Sequence, residues 1–283
     1  MSKYHDKPNI YVTQMVLKVK DLKRSVEFYK DIMGLQVLEE KDREVKLTVD
    51  GITPMVTLTQ PKDLIDKLPR RTGLYHFAVL LPSRFHLGLF LKNIRDKQYP
   101  IVGGSNHGVS EAVYLEDPDK NGIEVYADTP EDTWDRKDDE INMVTEALDY
   151  LRIIEATGDK KWEGAPSETI IGHIHLHVGD LDDSLNFYEA LGFNLVQAMK
   201  NQAYFISTGG YHHHIGFNIW NGRGAVPPPD NSIGMKYYTL KYPSKEKLQA
   251  VLNRLKSLGY KYTEDENKIF IFDPSLNLIQ IVL

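Results

Sequence analysis

The chain has 283 residues, 41% hydrophobic and 26% charged, the balance of a folded globular protein long enough for two cores. Its net charge of −6 argues against nucleic acid and anionic membrane as partners, and it has no run of about 18 apolar residues to span a bilayer. With no cysteine, disulfides, thiol nucleophiles and iron–sulfur clusters are excluded, and any metal must be held by His, Asp, Glu, Gln or Tyr.

The chain opens on MSKYHDKPN, which lacks an apolar signal core, so the cytoplasm is the expected location. From Tyr11 to Val19, Met15, Leu17 and Val19 alternate with Gln14, Val16 and Lys18, the pattern of a strand with two distinct faces. Asp21 then caps a helix, LKRSVEFYKDIM, whose Leu22, Val26, Tyr29 and Met33 share one side and which Gly34 ends. Short strands over 36–40, 45–49 and 55–59 complete a β-α-β-β-β unit. A second unit follows: a strand over 74–81, a helix from Pro82-Ser83 to about Lys97, and strands near 101–103, 112–115 and 123–126.

Residues 129–169 turn acidic and polar and are punctuated by Pro130, Trp134 and Pro166. They read as a link between halves, with MVTEALDYLRIIEA as a helix packed on the outside. The pattern restarts at Gly172. GHIHLHVGDLDDSLNFYEALGF matches TQMVLKVKDLKRSVEFYKDIMGL, with Asp180-Leu181 on Asp21-Leu22 and Phe187-Tyr188 on Phe28-Tyr29. A fourth unit begins near Met235, with a helix over 244–258 and the hairpin FIFDPSLNLIQIVL. That hairpin repeats YLEDPDKNGIEVY, placing Asp273-Pro274 on Asp117-Pro118, Asn277 on Asn121 and Gln280 on Glu124. The expected architecture is therefore α+β: four βαβββ units as two tandem domains, 8–128 and 170–283, joined by the linker 129–169.

Two stretches carry chemistry. The first is HGVSEAVYLEDPDKNGIEVY, His107 to Tyr126. Its Asp-Pro-Asp-Lys-Asn-Gly segment reads as a turn between two strands, and in the second strand Glu124 lies on the face opposite Ile123 and Val125. Alone, this is an ordinary hairpin with a solvated glutamate. The repeat keeps the turn residues but has Gln280 for Glu124, so the turn is scaffold and Glu124 is particular to one copy. The second stretch is a crowd of histidines. His173, His175 and His177 alternate on one strand. His212 and His214 share a face if GYHHHIGFN is a strand, with His213 pointing away. Five inward histidines point to metal or substrate binding. The loop NGRGAVPPPDNS, 221–232, is stiffened by its prolines and reads as a cover over the second half's cup.

Paired βαβββ units with D-L-x-x-S-x-x-F-Y after the first strand and D-P-x-x-N-x-I-E near the end resemble the vicinal oxygen chelate superfamily, which includes glyoxalases, bleomycin resistance proteins and extradiol dioxygenases. His107, Val113-Tyr114, Asp117-Pro118 and Glu124 fit the spacing of the extradiol enzymes, with Lys120 standing where Gly or Pro is usual. The long two-domain layout is similar to the bacillary catechol-2,3-dioxygenase-like proteins. The resemblance implies two units curled round a cup that holds a divalent metal, Fe2+ foremost, with Mn2+, Ni2+ or Zn2+ as alternatives. It implies a small catechol-type aromatic and O2 as reactants. In the first half the implied ligands are Gln14, His76 and Glu124, with Thr57 at a fourth position and His107 and Tyr114 as catalytic groups. In the second half they are His173 and His214, with His175, His212, Tyr237 and Gln280 around the substrate. Two other readings stay open: a glyoxalase-like isomerase, lyase or transferase using a non-redox ion, and a metal-free protein that sequesters a small molecule. Neither nucleic acid nor membrane is expected as a partner, and self-assembly is left open.

Overall fold

The computed structural model describes every residue except 1, 138, 139 and 267. Its elements follow the repeats. The first unit is β1 (Tyr11–Lys18), α1 (Leu22–Asp31), β2 (Gln36–Lys41), β3 (Glu44–Thr48) and β4 (Val56–Thr59). The second is β5 (Gly73–Leu80), α2 (Arg84–Asp96), β6 (Gly103–Asn106), β7 (Ser110–Glu116) and β8 (Gly122–Asp128). The link carries β9 (Arg136–Lys137), β10 (Glu140–Ile141), β11 (Glu146–Ala147) and α3 (Tyr150–Glu155). The third unit is β12 (Ile170–His177), α4 (Leu181–Ala190), β13 (Asn194–Met199), β14 (Ala203–Ser207) and β15 (Ile215–Asn218). The fourth is β16 (Gly234–Lys241), α5 (Lys245–Ser257), β17 (Tyr262–Asp265), β18 (Lys268–Phe272) and β19 (Leu278–Val282).

The repeated motifs do repeated work. Asp21 and Asp180 each accept hydrogen bonds from backbone N–H groups of the first helical turn, of Arg24 and of Asp182 and Asp183 respectively. Asp117 Oδ1 holds the turn before β8 by accepting from the backbone of Asp119 and Asn121, and Asp273 does the same for Ser275 and Asn277. Each of these aspartates also takes a hydroxyl from the F-Y motif of its own half. Tyr29 donates to Asp117 at 3.1 Å and Tyr188 to Asp273 at 3.0 Å. Lys120 and its counterpart Leu276 both sit at φ +62°, the left-handed region that favours glycine. That conformation is the physical reason for glycine at the position where Lys120 stands, and it is closed to proline.

The linker differs from expectation. Its helix is confined to Tyr150–Glu155, where Asp149 caps the backbone N–H of Arg152. Glu146 and Ala147 instead pair with Asn106 and Ser105 and cover the edge of β6. Satisfying an open sheet edge outweighs the helical propensity of those residues.

Strand pairing gives the larger correction. One sheet has the order β17-β18-β19-β16-β1-β4-β3-β2 and the other β11-β6-β7-β8-β5-β12-β15-β14-β13. The first unit therefore joins the fourth, through antiparallel β1 and β16, and the second joins the third, through antiparallel β5 and β12. Each half contributes one unit to each sheet, and neither closes a cup by itself. Alternation in a sequence sets which face a side chain takes, but not which strand lies alongside. A single apolar cluster, including Val12, Phe28, Phe90, Ile174, Phe187 and Leu255, runs behind both sheets and under the long helices.

Candidate metal centre

The crossed pairing brings three side chains together. β8, β5 and β12 lie side by side, with Glu124 level with Ala78 and Ala78 level with His173. His76 is two residues before Ala78 and shares its face. Because only a methyl group stands between Glu124 and His173, the floor of the cup has room for an ion. His76 Nε2 lies 3.0 Å, and His173 Nε2 3.2 Å, from the same Glu124 oxygen, Oε2. All three residues are buried, at 6%, 1% and 3% exposure for His76, His173 and Glu124. Among the described residues, no other group of three His, Asp or Glu donors converges in this way.

The donor set fits a divalent metal. His76 Nε2 is buried without a hydrogen-bond partner; although it is close to Oε2, the geometry of a bond is missing, and His173 Nδ1 is orphaned as well. Burial holds the His173 pKa down at about 4, so this imidazole is neutral at pH 7. Burial pushes Glu124 upward, but the charge and hydrogen bond of His173 and the proximity of His76 outweigh it and hold its carboxyl well below the usual range. An ionised carboxylate thus faces two buried imidazoles in a dry cup, with one hydrogen bond from His173 Nε2 and with His76 Nε2 left without a partner. Two imidazoles and one carboxylate with open positions is the pattern of non-haem iron sites.

The separate half-sites implied by the sequence are accordingly corrected. Gln14 lies on β1, in the other sheet, where its Nε2 donates to Thr57 Oγ1 at 2.9 Å. Tyr237 and Gln280 are in that sheet too, and Thr239 donates to Gln280 Oε1 at 3.1 Å. The register explains why. Gln14 is level with Thr239 and Thr239 with Gln280, just as His173 is level with Ala78 and Ala78 with Glu124. Gln14, Tyr237 and Gln280 are the counterparts of His173, His76 and Glu124 in a second cup, where two amides and a phenol stand in place of two imidazoles and a carboxylate.

The other histidines are committed elsewhere. β15 starts only at Ile215, so His212 to His214 belong to a loop and the alternation expected of them does not apply. His214 accepts from the Thr208 N–H at Nδ1 (3.3 Å) and donates from Nε2 to the Tyr4 carbonyl (3.0 Å), which leaves no lone pair for a metal. His213, expected to face away, lies against His173 with ring centroids 4.0 Å apart. His212 Nε2 is 3.0 Å from Asp128, and its Nδ1 is 2.8 Å from His213 Nδ1. Asn218, which the sequence reading missed, fixes two rings: its amide donates to His175 Nε2 at 2.9 Å, and its Oδ1 accepts from His177 Nδ1 at 2.7 Å. The parallel register of His177 with Asn218 was the signal for it, and that register is visible only once strand order is known.

His107 and Tyr114 stand at the rim. Tyr114 is the cross-strand neighbour of Glu124. His107 Nδ1 donates to the Val144 carbonyl at 2.7 Å, so its Nε2 is the acceptor for the Tyr114 hydroxyl, also at 2.7 Å. Burial, then the Glu124 charge, push the Tyr114 phenol well above its ordinary value, so it stays protonated. A cavity of about 1050 Å³ reaches both His76 and Tyr114. The proline loop 221–232, expected over the second half's cup, walls this cavity through Pro227, Pro228 and Pro229.

These features define a class of protein. A family model described as Glyoxalase/Bleomycin resistance protein/Dioxygenase superfamily matches residues 11–125 and 170–281, and the chain belongs to that superfamily. It is an enzyme of that superfamily, 46% identical over 263 residues to "Catechol-2,3-dioxygenase" of Bacillus subtilis (strain 168), covering 91% of this chain and 92% of the relative. "Biphenyl-2,3-diol 1,2-dioxygenase 3" of Rhodococcus globerulus is 30% identical over 129 residues, 44% of this chain and 68% of the relative. A solved putative dioxygenase from Bacillus subtilis shares the fold at TM-score 0.66 and 14% identity, covering 96% of this chain and 84% of that one. Glyoxalase I from Zea mays does so at TM-score 0.59 and 18% identity, covering 96% and 92%. Among the described residues, no helix is long and apolar enough to cross a membrane.

Proposed function

We propose that the chain is an extradiol dioxygenase that opens a catechol-type ring with O2 at a single Fe2+ site held by His76, His173 and Glu124. The observation that carries this reading is the convergence of these three side chains on one buried point, where His76 Nε2 has no hydrogen-bond partner. The relative named catechol-2,3-dioxygenase, aligned over nearly the whole chain, supports the reaction class.

When bound, the ion supplies the Lewis-acid and redox chemistry of ring opening. The chain supplies position, protons and dryness. In the overall reaction both atoms of O2 enter the product and the ring C–C bond beside the diol breaks, so no external reductant is consumed. Glu124 would balance part of the ion's charge, and His76 and His173 would complete the set that holds it. The Tyr114 hydroxyl is placed to hydrogen-bond a substrate oxygen at the rim. His107 Nε2, already its acceptor, can hold a proton passed through that hydroxyl, and the Val144 carbonyl fixes the ring that does so. Tyr75 and Trp220, with ring centroids 5.1 Å apart, flank His175 and offer an aromatic wall.

The test is anaerobic loading with Fe2+, followed by addition of catechol and air. The expected result is a yellow ring-opened product with one O2 consumed per catechol. Activity with Ni2+ or Zn2+ and no O2 uptake would instead place the chain with the isomerases and lyases of its superfamily.

A further inference from the structure

The cavity that reaches His76 has a cationic lining on a chain of net negative charge. Lys18, Lys67, Arg71, Lys120 and Lys236 face it, against the acidic side chains of Glu116 and Asp230. Lys120 is already paired with Glu116, at 3.1 Å. Lys18 donates to the backbone carbonyl of Asp230. Of these five only Lys120 is in an ion pair among the described residues, and Arg71 and Lys67 are set apart from the rest by burial. Among the described residues Arg71 makes no ion pair, and its Nε is buried with no hydrogen-bond partner at all. Lys67 has only the Lys120 carbonyl, at 2.7 Å. Burial lowers the Lys67 pKa against the attraction of Asp117, Glu116 and Asp119, none of which pairs with it.

Both are held in place. The Arg71 carbonyl accepts from Asn221 Nδ2 at 2.8 Å, and the next N–H, of Thr72, donates to the Val226 carbonyl at 3.1 Å. The proline loop thus clamps the Arg71 backbone from the opposite wall. Lys67 is anchored on the carbonyl of Lys120, two residues before Gly122, which is level with His76. Arg71 is five residues before His76 on the approach to β5, and both cations line the cavity that reaches His76 and Tyr114.

We infer that Arg71 and Lys67 form a subsite for a carboxylate carried on a short side chain of the diol substrate. This rests on the ring-cleavage reading for the diol end, while the subsite itself is defined by this chain's own cations. The arginine's planar fork suits a carboxylate, and the lysine adds a point charge.

Two measurements test it. In the first, the iron-loaded enzyme is given 3-(3,4-dihydroxyphenyl)propionate and the neutral 4-propylcatechol. The expected kcat/KM ratio favours the acid by at least about tenfold, and Arg71→Gln or Lys67→Gln cuts the ratio several-fold. A wild-type ratio near one, with 4-propylcatechol readily cleaved, overturns the subsite and leaves ring cleavage standing. In the second, metal-free protein is titrated calorimetrically with 3-phenylpropionate, which has no diol. Binding that weakens at least about fivefold in Arg71→Gln and again at high salt supports the subsite even if no catechol is cleaved. Equal binding by wild type and both variants, with thermal melting showing all three folded, overturns it.

Discussion

Replacing Glu124 by glutamine should make metal affinity and metal-free stability respond differently. In the metal-free protein this carboxylate is 3% exposed and faces His173, which is neutral at pH 7 with its pKa near 4. The histidines hold its carboxyl well below the usual range, so above pH 4.5 the fold stabilises the ionised form. Metal-free Glu124→Gln, which keeps an acceptor oxygen for His173, should therefore be modestly less stable than wild type at pH 7, by about 1–2 kcal/mol. Metal binding should fall much further. At an effective dielectric of about 20, a carboxylate about 4 Å from a divalent ion contributes roughly 8 kcal/mol of gross attraction. Desolvation and the amide's own dipole offset about half, leaving a loss of about 4 kcal/mol, on the order of a thousandfold in affinity. The assay is thermal or urea unfolding of both proteins with chelator and with saturating Mn2+ as a redox-silent ion. Wild type should gain stability with the ion according to its affinity. The variant should start slightly lower and gain far less. A metal-free variant more stable than wild type, or one that keeps the full metal increment, would refute the account of Glu124 as the charged ligand.

The remaining expectations concern the partners of that carboxylate. His76→Ala and His173→Ala should each abolish metal binding by elemental analysis although they lie in different halves, whereas Gln14→Ala should keep the wild-type metal content. Tyr114→Phe should retain the metal and the fold but lower kcat about 10–100-fold in the ring-cleavage assay, because it removes the hydroxyl between substrate and His107. Stability should fall in mild acid. Burial depresses the His5 pKa from 6.5 to about 4, so the folded state holds this ring neutral and the unfolded chain takes up the proton first. Its contribution is complete above pH 6.5 and is lost as the pH falls from 6.5 towards 4, to a total of order 3 kcal/mol. Urea midpoints across that range should drop less steeply in His5→Gln, which can still donate to the Gly172 carbonyl that His5 Nε2 now contacts.

Much of this was legible in the sequence, for identifiable reasons. The capping aspartates, the F-Y pairs and the Asp-Pro turns act locally or within one half, and they marked the four units and their strands to within a few residues. Period-two alternation put His76, Glu124 and His173 on cup faces. What it could not supply was the neighbour of β5. Pairing within a half would have set His76 and Glu124 beside Gln14; pairing with β12 sets them beside His173. Either choice satisfies the same pattern of apolar residues, and the decision belongs to tertiary hydrogen bonding. The loop histidines were obscure for another cause. A strand period was applied to residues 212–214, where no strand exists. Asn218 and Ala78 carry no chemical signature of their own, and their importance appears only when adjacent strands are in register.

The antiparallel seams between β1 and β16 and between β5 and β12 have a consequence for inheritance. A segment ending after β8 would hold His76 and Glu124 but leave β5 with an open edge and no second imidazole, and a segment starting at β12 would hold His173 alone. Neither half could have been selected for this site while standing as a lone chain. An ancestor of one half's length would have needed a second copy of itself to seal the seams, and would then have carried two equal cups. Fusion into one polypeptide made the copies free to diverge, and the amides of Gln14 and Gln280 are where one cup has done so.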